Sequence, residues 1–504
     1  MKTPNAETET SVSSSNSMIE STEFSVELRE DGGVWRRQPA ELLLTGDGTG
    51  HEPFPPEMLA EFGGIAVGTK MARASLCEFF WPGPVEVRVS APGFDGPLAL
   101  SARKDLPVSR DEDGALVFRL DEPEMCLVRK GDDYLKGLSL WARPEPAPVS
   151  GDGFRHVLRF EPGFHDAESD ARIRRDAYGA PVVEIAEDDT LVVIEKGAAV
   201  EASLDIRGAR HVTVCGGGRI DLSRRLPHYA GGFAEPVLWG PFRTGALPAI
   251  YVHAGAEDVT VRDLVAVCDF RGVCLRNAAR VAIRDCGLFT STVNADGVNM
   301  VSSQDVACDA LYIRSQDDCW CAYNNCDSIP WLWDEGFPPR SMCRAALRRS
   351  FIGSNARAIV IGGHGQSGIR GAPNEVRDVE VSGCRILGNL KPCDKPGASP
   401  EHLAYWSGIF RILSQSDEWV HDLRFLRNVV EWVPGYRGSA HHLCVRSADQ
   451  VSYAEKTGGW KIEDVLFEGN EWRAVPPPGS HTPDVMQSPP DDGTGLGLRR
   501  IRFA

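Results

Sequence analysis

From Phe24 onward the chain breaks into short segments in which apolar and polar residues alternate: FSVELR, ELLLTG, PVEVRVSA, PLALSA and ALVFRL, each closed off by Gly, Pro or Asp. Alternation with a period of two predicts half-buried strands, and the close spacing of the turn residues predicts an antiparallel β-sandwich over residues 23–150. The stretch WARPEPAPVSGDG, from Trp141 to Gly153, marks the end of that unit. Residues 1–22 are rich in Ser, Thr, Asn and Glu with little to bury, so disorder is expected there.

Past the boundary the alternating segments acquire a rhythm. EDVTVRDLVAVC, ARVAIRDCGLFT and QDVACDALYIRS align on Val259, Val281 and Val306, which are 22 and 25 residues apart. The pattern resumes in VRDVEVSGCRI, WVHDLRFLRNVV and KIEDVLFEGNEW on Val379, Leu423 and Val465, where the gaps of 44 and 42 are near twice the shorter period. Units of this size that carry short strands cannot bury their apolar faces alone, so they must stack as a solenoid. The expected fold is all-β: a right-handed parallel β-helix over residues 151–475 behind the sandwich, with a C-terminal loop and terminal strand over 476–504.

Composition agrees with this picture. The 51 glycines and 34 prolines suit turns between strands and weaken helices. A net charge of -17 disfavours a nucleic-acid footprint or an anionic membrane surface and leaves a neutral partner unopposed. The N-terminus lacks the apolar core of a secretory signal, so a cytoplasmic location is the expectation. The 14 cysteines are spread along strand-like segments and read as buried thiols. Cys319, Cys321 and Cys326 lack the paired spacing of a zinc site.

The candidate chemistry lies in NADGVNM, from Asn294 to Met300, and SQDDCW, from Ser315 to Trp320. Asp296 precedes Asp317 by 21 residues and Asp318 by 22, about one coil, and successive coils stack about 4.8 Å apart, so the three carboxylates can share one wall. Neighbouring strand residues face opposite sides, and an Asp facing the apolar interior is costly; a bend at the strand edge would turn both Asp317 and Asp318 to the cleft. Such a cluster serves glycosidic hydrolysis, with one carboxyl protonating the leaving oxygen and others activating water. It also suits a calcium ion, and each short motif on its own is ordinary turn chemistry.

NADG, QDD and GGHG, the last from Gly362 to Gly365, together resemble the ordered active-site motifs of the pectin-cleaving glycoside hydrolase family 28. The wider pattern is similar to family 49, the dextran and pullulan hydrolases, whose extra N-terminal domain the sandwich resembles. The likeness covers about residues 155–475 and includes the segments FEPGFHDAE and VIEKGAAVEASLDIRGARHVTVCGGGRIDLS. It implies an inverting hydrolase that needs no cofactor or metal. Asp317 would protonate the glycosidic oxygen, Asp296 and Asp318 would activate water, His364 would tune their protonation, and Asn294 would shape the site.

The chain departs from the pectinase pattern in two places: His364 stands 46 residues beyond Asp318, and the Arg-Ile-Lys segment reads Arg411-Ile412-Leu413, without the lysine. A weakened carboxylate clamp and net acidity point to a neutral glucan or its oligosaccharides, with a galacturonide as the second choice and Arg370 or Arg411 as its receptor. Trp320, Tyr323, Trp331, Trp333 and Trp406, with Tyr405, are candidate sugar platforms, since their rings offer apolar faces beside polar groups. His441 and His442 read as ordinary core or surface histidines. Transglycosylation, or carbohydrate binding without cleavage, remains open on the motifs alone.

Overall fold

A computed structural model describes residues 20–43, 74–176, 179–222, 248–268, 270–290, 295–324, 340–362, 375–388, 408–415, 418–434, 436, 438–446, 461–475, 477, 484–487 and 497–504. The expected disorder of residues 1–22 falls almost wholly outside them. No described helix is long and apolar enough to cross a membrane.

The alternating segments near the N-terminus form two five-stranded sheets. Val85–Ser90 shows why: its valines are buried and the polar residues between them are not. Val85, Val87, Phe118, Leu120, Cys126, Val128, Leu138 and Leu140 fill the space between the sheets. Pairing departs from a wholly antiparallel sandwich at one place, where Asp133–Arg143 runs parallel to Ala74–Phe80. Parallel neighbours need a crossover rather than a hairpin, and these two strands are far apart in the chain.

The rest of the chain winds into a right-handed parallel β-helix of three sheets with eleven, ten and eleven strands. Val259, Val281, Val306, Ala345, Val379, Leu423, Val465 and Ile501 stack in register down the first sheet. Burying each Val, Ile or Leu contributes about 1.5–3 kcal/mol, which only stacking realises. The steps of 44 and 42 residues prove to be single coils, because Val379 pairs directly with Leu423 and Leu423 with Val465. Their extra length lies in connections such as Gly388–Ile409, far longer than the equivalent Gln316–Cys319. The helix also runs past residue 475: Val485–Gln487 joins the third sheet and Gly497–Phe503 the first.

The residue before each stacked apolar position is Asp258, Arg280, Asp305, Arg344, Asp378, Asp422, Asp464 or Arg500, and each has φ between 48° and 57°. Each of these eight coils therefore carries a left-handed bulge at this point, a conformation that Asp tolerates better than most residues. The repeated Asp-Val of the sequence is this bulge. Arg280 pairs with Asp258, Arg344 with Asp305 and Arg500 with Asp464 from coil to coil.

The sandwich covers the outer face of the second helix sheet. Leu76, Met125, Leu127 and Trp141 pack on Val265, Val267, Phe289, Tyr312, Phe351 and Leu387. Within this interface the buried Glu431 accepts hydrogen bonds from Ser101 (2.8 Å), the Tyr134 hydroxyl (2.6 Å) and Arg385. Glu431→Leu leaves the Arg385 guanidinium with its longer 3.4 Å bond to the exposed Asp105 in place of the buried carboxylate, and a loss of about 3 kcal/mol is expected in denaturant unfolding of the full chain. A loss below about 1 kcal/mol would mean that water reaches Arg385 instead. With the second sheet covered, the corner between the second and third sheets is left to carry chemistry.

Candidate functional site

Val273, Val298, Trp320 and Ile359 are in register on four successive strands of the third sheet. Two residues before each of them, at the corner where the chain leaves the second sheet, stand Arg271, Asp296, Asp318 and Arg357. These four form one column. Backbone bonds from Gly272 N–H to the Asp296 carbonyl, Gly297 N–H to the Asp318 carbonyl and Cys319 N–H to the Arg357 carbonyl, each 2.9 Å, fix it coil to coil. Read along the helix, its charges run plus, minus, minus, plus.

Gly297 of the NADG motif lets the coils approach. A Cβ there would lie 2.3 Å from Ile313 Cγ2 and 2.6 Å from the Cys319 carbonyl oxygen. The residue does not need a left-handed backbone, as a turn reading would have it; it needs the space.

Each carboxylate has its own partners. Asp296 Oδ2 accepts from Asn299 Nδ2 at 2.5 Å and lies 3.2 Å from Arg271 Nε. Asn299 Oδ1 in turn accepts from Arg276 at 2.7 Å. Asp318 Oδ1 accepts from Arg357 Nε at 2.6 Å, and its Oδ2 from the Tyr323 hydroxyl at 3.3 Å. Asp317 sits one residue out of the column, with Oδ1 3.6 Å from Arg357 Nη2. Its carbonyl accepts from Ser315 Oγ at 2.7 Å and Ser354 Oγ at 2.6 Å, which holds the bend and brings both neighbouring carboxylates to the same guanidinium. The Asp317 side chain is 14% exposed against 4% for Asp318 and 7% for Asp296, so it is the most open of the three.

Burial dominates the electrostatics. It pushes the Asp296 carboxyl up to about 7, with Arg271 pulling down and Asp317 and Asp318 pushing further up. Burial likewise raises Asp318 to about 6 against the pull of Arg357. Two buried carboxylates whose charges repel hold a proton into the neutral range.

Oxygen atoms of Asp296 and Asp318 and the Cys321 Sγ lie within 4.8 Å of one another. This set does not fit calcium, which takes oxygen ligands and not a thiol. Both carboxylates also carry a guanidinium already. The calcium reading of the motifs therefore finds no support in the donor set.

Among the other sequence candidates, Trp320 is corrected. It is fully buried, points into the helix core and donates its indole N–H to Cys308 Sγ at 3.5 Å, so no sugar can stack on it. Tyr323 is on the outer face but 4% exposed, and its hydroxyl serves Asp318. Arg411 lies on the same face, in register with Val360, and its charge acts on Asp318. His441 faces inward, stacked on Phe410 and bonded to Asp484. Asn294, Trp331, Trp333, His364, Arg370, Tyr405 and Trp406 lie outside the described residues. His364 follows the strand Ile359–Ile361, whereas the corner position beside Asp318 belongs to Arg357.

Arg271, Arg357, Asn299 and Arg276 were not legible as site residues from the acidic motifs alone. A signal existed: Arg-Gly-Val at 271–273 has the same form as Asp-Gly-Val at 296–298, one coil on.

No family model matches the chain, and a search of the curated proteins finds no relative. Among solved structures, the Family 28 exopolygalacturonase of Yersinia enterocolitica is similar at 11% identity with a TM-score of 0.44, over 84% of this chain and 89% of that one. Dex49A from Penicillium minioluteum is similar at 12% identity with a TM-score of 0.51, over 96% of this chain and 89% of that one. At that identity, what this chain shares with Dex49A is the fold along nearly its whole length.

Proposed function

We propose that this chain is an inverting glycoside hydrolase acting on a neutral α-glucan or its oligosaccharides. The observation that carries the reading is the corner, where Asp296 and Asp318 are buried as a pair in the column and Asp317 beside them is more open. Asp296 and Asp318 present oxygens within 4.8 Å of each other, closer than the roughly 6.5–9.5 Å at which acid and base stand in inverting enzymes with water between them. They belong on the same side of the reaction, where they orient and deprotonate water. Asp317 then protonates the glycosidic oxygen. The corner position favours this division, because the open carboxyl meets the incoming bond and the paired ones are shielded.

For the substrate, the charge of the buried Arg411 acts on Asp318 and the position two residues on is the buried Leu413, which favours a sugar without a carboxylate. A galacturonide is the second reading, favoured by Arg276 and Arg411 on the outer face to either side of the acids. A panel of dextran, pullulan, their oligosaccharides and oligogalacturonides, assayed for reducing ends, decides between the two. Products from the glucans alone support the first reading; cleavage of galacturonides alone replaces it with the second. Binding without products from any glycan leaves a carbohydrate-binding protein.

The pH dependence follows from the buried pair. Water activation needs Asp296 and Asp318 ionised, and burial raises their proton affinities to about 7 and about 6. Activity is therefore expected to fall as pH drops through that window, by about tenfold per unit between the two transitions and by about a hundredfold per unit below both. A kcat/KM that stays level down to pH 4 would remove the pair from the base role.

A further inference from the structure

Asp296 and Asp318 present oxygens within 4.8 Å of each other in a buried corner, an arrangement that repels itself once both are ionised. The column supplies one cation at each end. Arg271 Nε approaches Asp296 Oδ2 at 3.2 Å, and Arg357 Nε approaches Asp318 Oδ1 at 2.6 Å. The side chains of Arg357 and Arg271 are 8% and 15% exposed, which leaves little guanidinium surface for a sugar.

We infer that Arg271 and Arg357 are positioning residues of the hydrolytic centre, each acting through the carboxylate beside it so that the close pair can be ionised and held on the water side together. This rests on the hydrolase reading. Arg357 also reaches toward Asp317, so a single guanidinium fixes the spacing between the proton donor and one member of the pair.

The groups facing each carboxylate define what remains when an arginine is removed. Around Asp318 these are Arg357, Arg411, Asp317, Asp296, Tyr323 and Cys321. Around Asp296 they are Arg271, Asp317, Asp318, Asn299, Tyr323 and Cys321. Without Arg357, the described cation acting on Asp318 is Arg411 alone, against two aspartates.

The test uses the full chain as wild type, R357Q, R357K, R271Q and R271K. Aspartate carboxyls are titrated by carbon-13 NMR, with Asp318 and Asp296 identified by difference from D318N and D296N. In R357Q the Asp318 transition is expected to move up by about one pH unit or more, and R357K is expected to restore part of the shift. R271Q should do the same to Asp296. On a cleaved glycan, the acidic limb of the R357Q profile should move up in parallel, kcat at pH 6 should fall about tenfold or more, and KM should hold. An unmoved carboxyl transition and limb in R357Q would overturn the inference, as would a rise in KM at constant kcat, which marks a substrate-binding arginine. If the wild type cleaves no glycan, the hydrolase reading fails, while the titration still reads the arginines.

Discussion

Replacing Asp317 by asparagine is expected to lower kcat by about 10²–10⁴-fold while leaving the fold intact. The expectation has two physical parts. The carboxyl is the most open of the three, so its proton is the one a glycosidic oxygen can reach. The bonds that shape the bend go to the Asp317 carbonyl, from Ser315 and Ser354, and not to its carboxyl, so the amide leaves them in place. Asn cannot donate a proton to the departing oxygen, and the uncatalysed departure of an alcohol is slow. An aryl glycoside with an acidic phenol needs no such proton, so D317N should recover on it. D318N should not, because it impairs water activation and removes the carboxylate that Arg357 holds. Near-normal turnover by D317N on a natural glycan, or equal rescue of both variants, would contradict the division of roles. Circular dichroism and the thermal midpoint check that each variant is folded.

The second large effect concerns stability. Trp320→Ala is expected to destabilise the chain by about 3–5 kcal/mol, read from denaturant unfolding. Trp320 is fully buried, stacked in register between Val298 and Ile359 and packed among the inward residues of the helix. Its removal leaves a cavity one indole across between coils that cannot collapse independently, since each strand is bonded on both sides. Trp320→Phe should cost distinctly less. A sugar platform would behave in the opposite way, with KM rising and stability unchanged in Trp320→Ala.

The misreading of Trp320 shows where periodicity loses its hold. Strand parity works inside a strand, but Gln316–Cys319 is a bend, and the side on which the next strand begins depends on how that bend is closed. An aromatic two residues after an aspartate looks like a sugar contact, whereas stacking with Val298 places it in the core. The first-sheet valines were legible because the same bulge and the same apolar position recur over successive coils. The coil holding Ala345 was harder to see, with alanine at the apolar position and Arg344 at the bulge.

The column was half legible for a related reason. Asp296 and Asp318 are 22 residues apart and announce themselves, but Arg357 is 39 residues beyond Asp318 because a long connection intervenes. A motif search stops at Gly362–Gly365, past the strand; pairing shows that the position beside Asp318 comes earlier, at Arg357. Insertions change the count of residues between coils without changing the register of the sheet. Charge partners of an acidic pair in such a fold are found by asking which residues precede each inward strand, not by sequence distance.

The proposed reaction is hydrolysis of a glycosidic bond at this corner, with Asp296 and Asp318 activating water and Asp317 protonating the leaving oxygen. The most direct measurement is proton NMR of the anomeric signals in the first minutes of cleavage of whichever glycan the panel identifies, before mutarotation mixes them. The column predicts the β anomer from an α-linked substrate, growing with the loss of the starting linkage. An α anomer as the first product, or an unsaturated sugar, would contradict it.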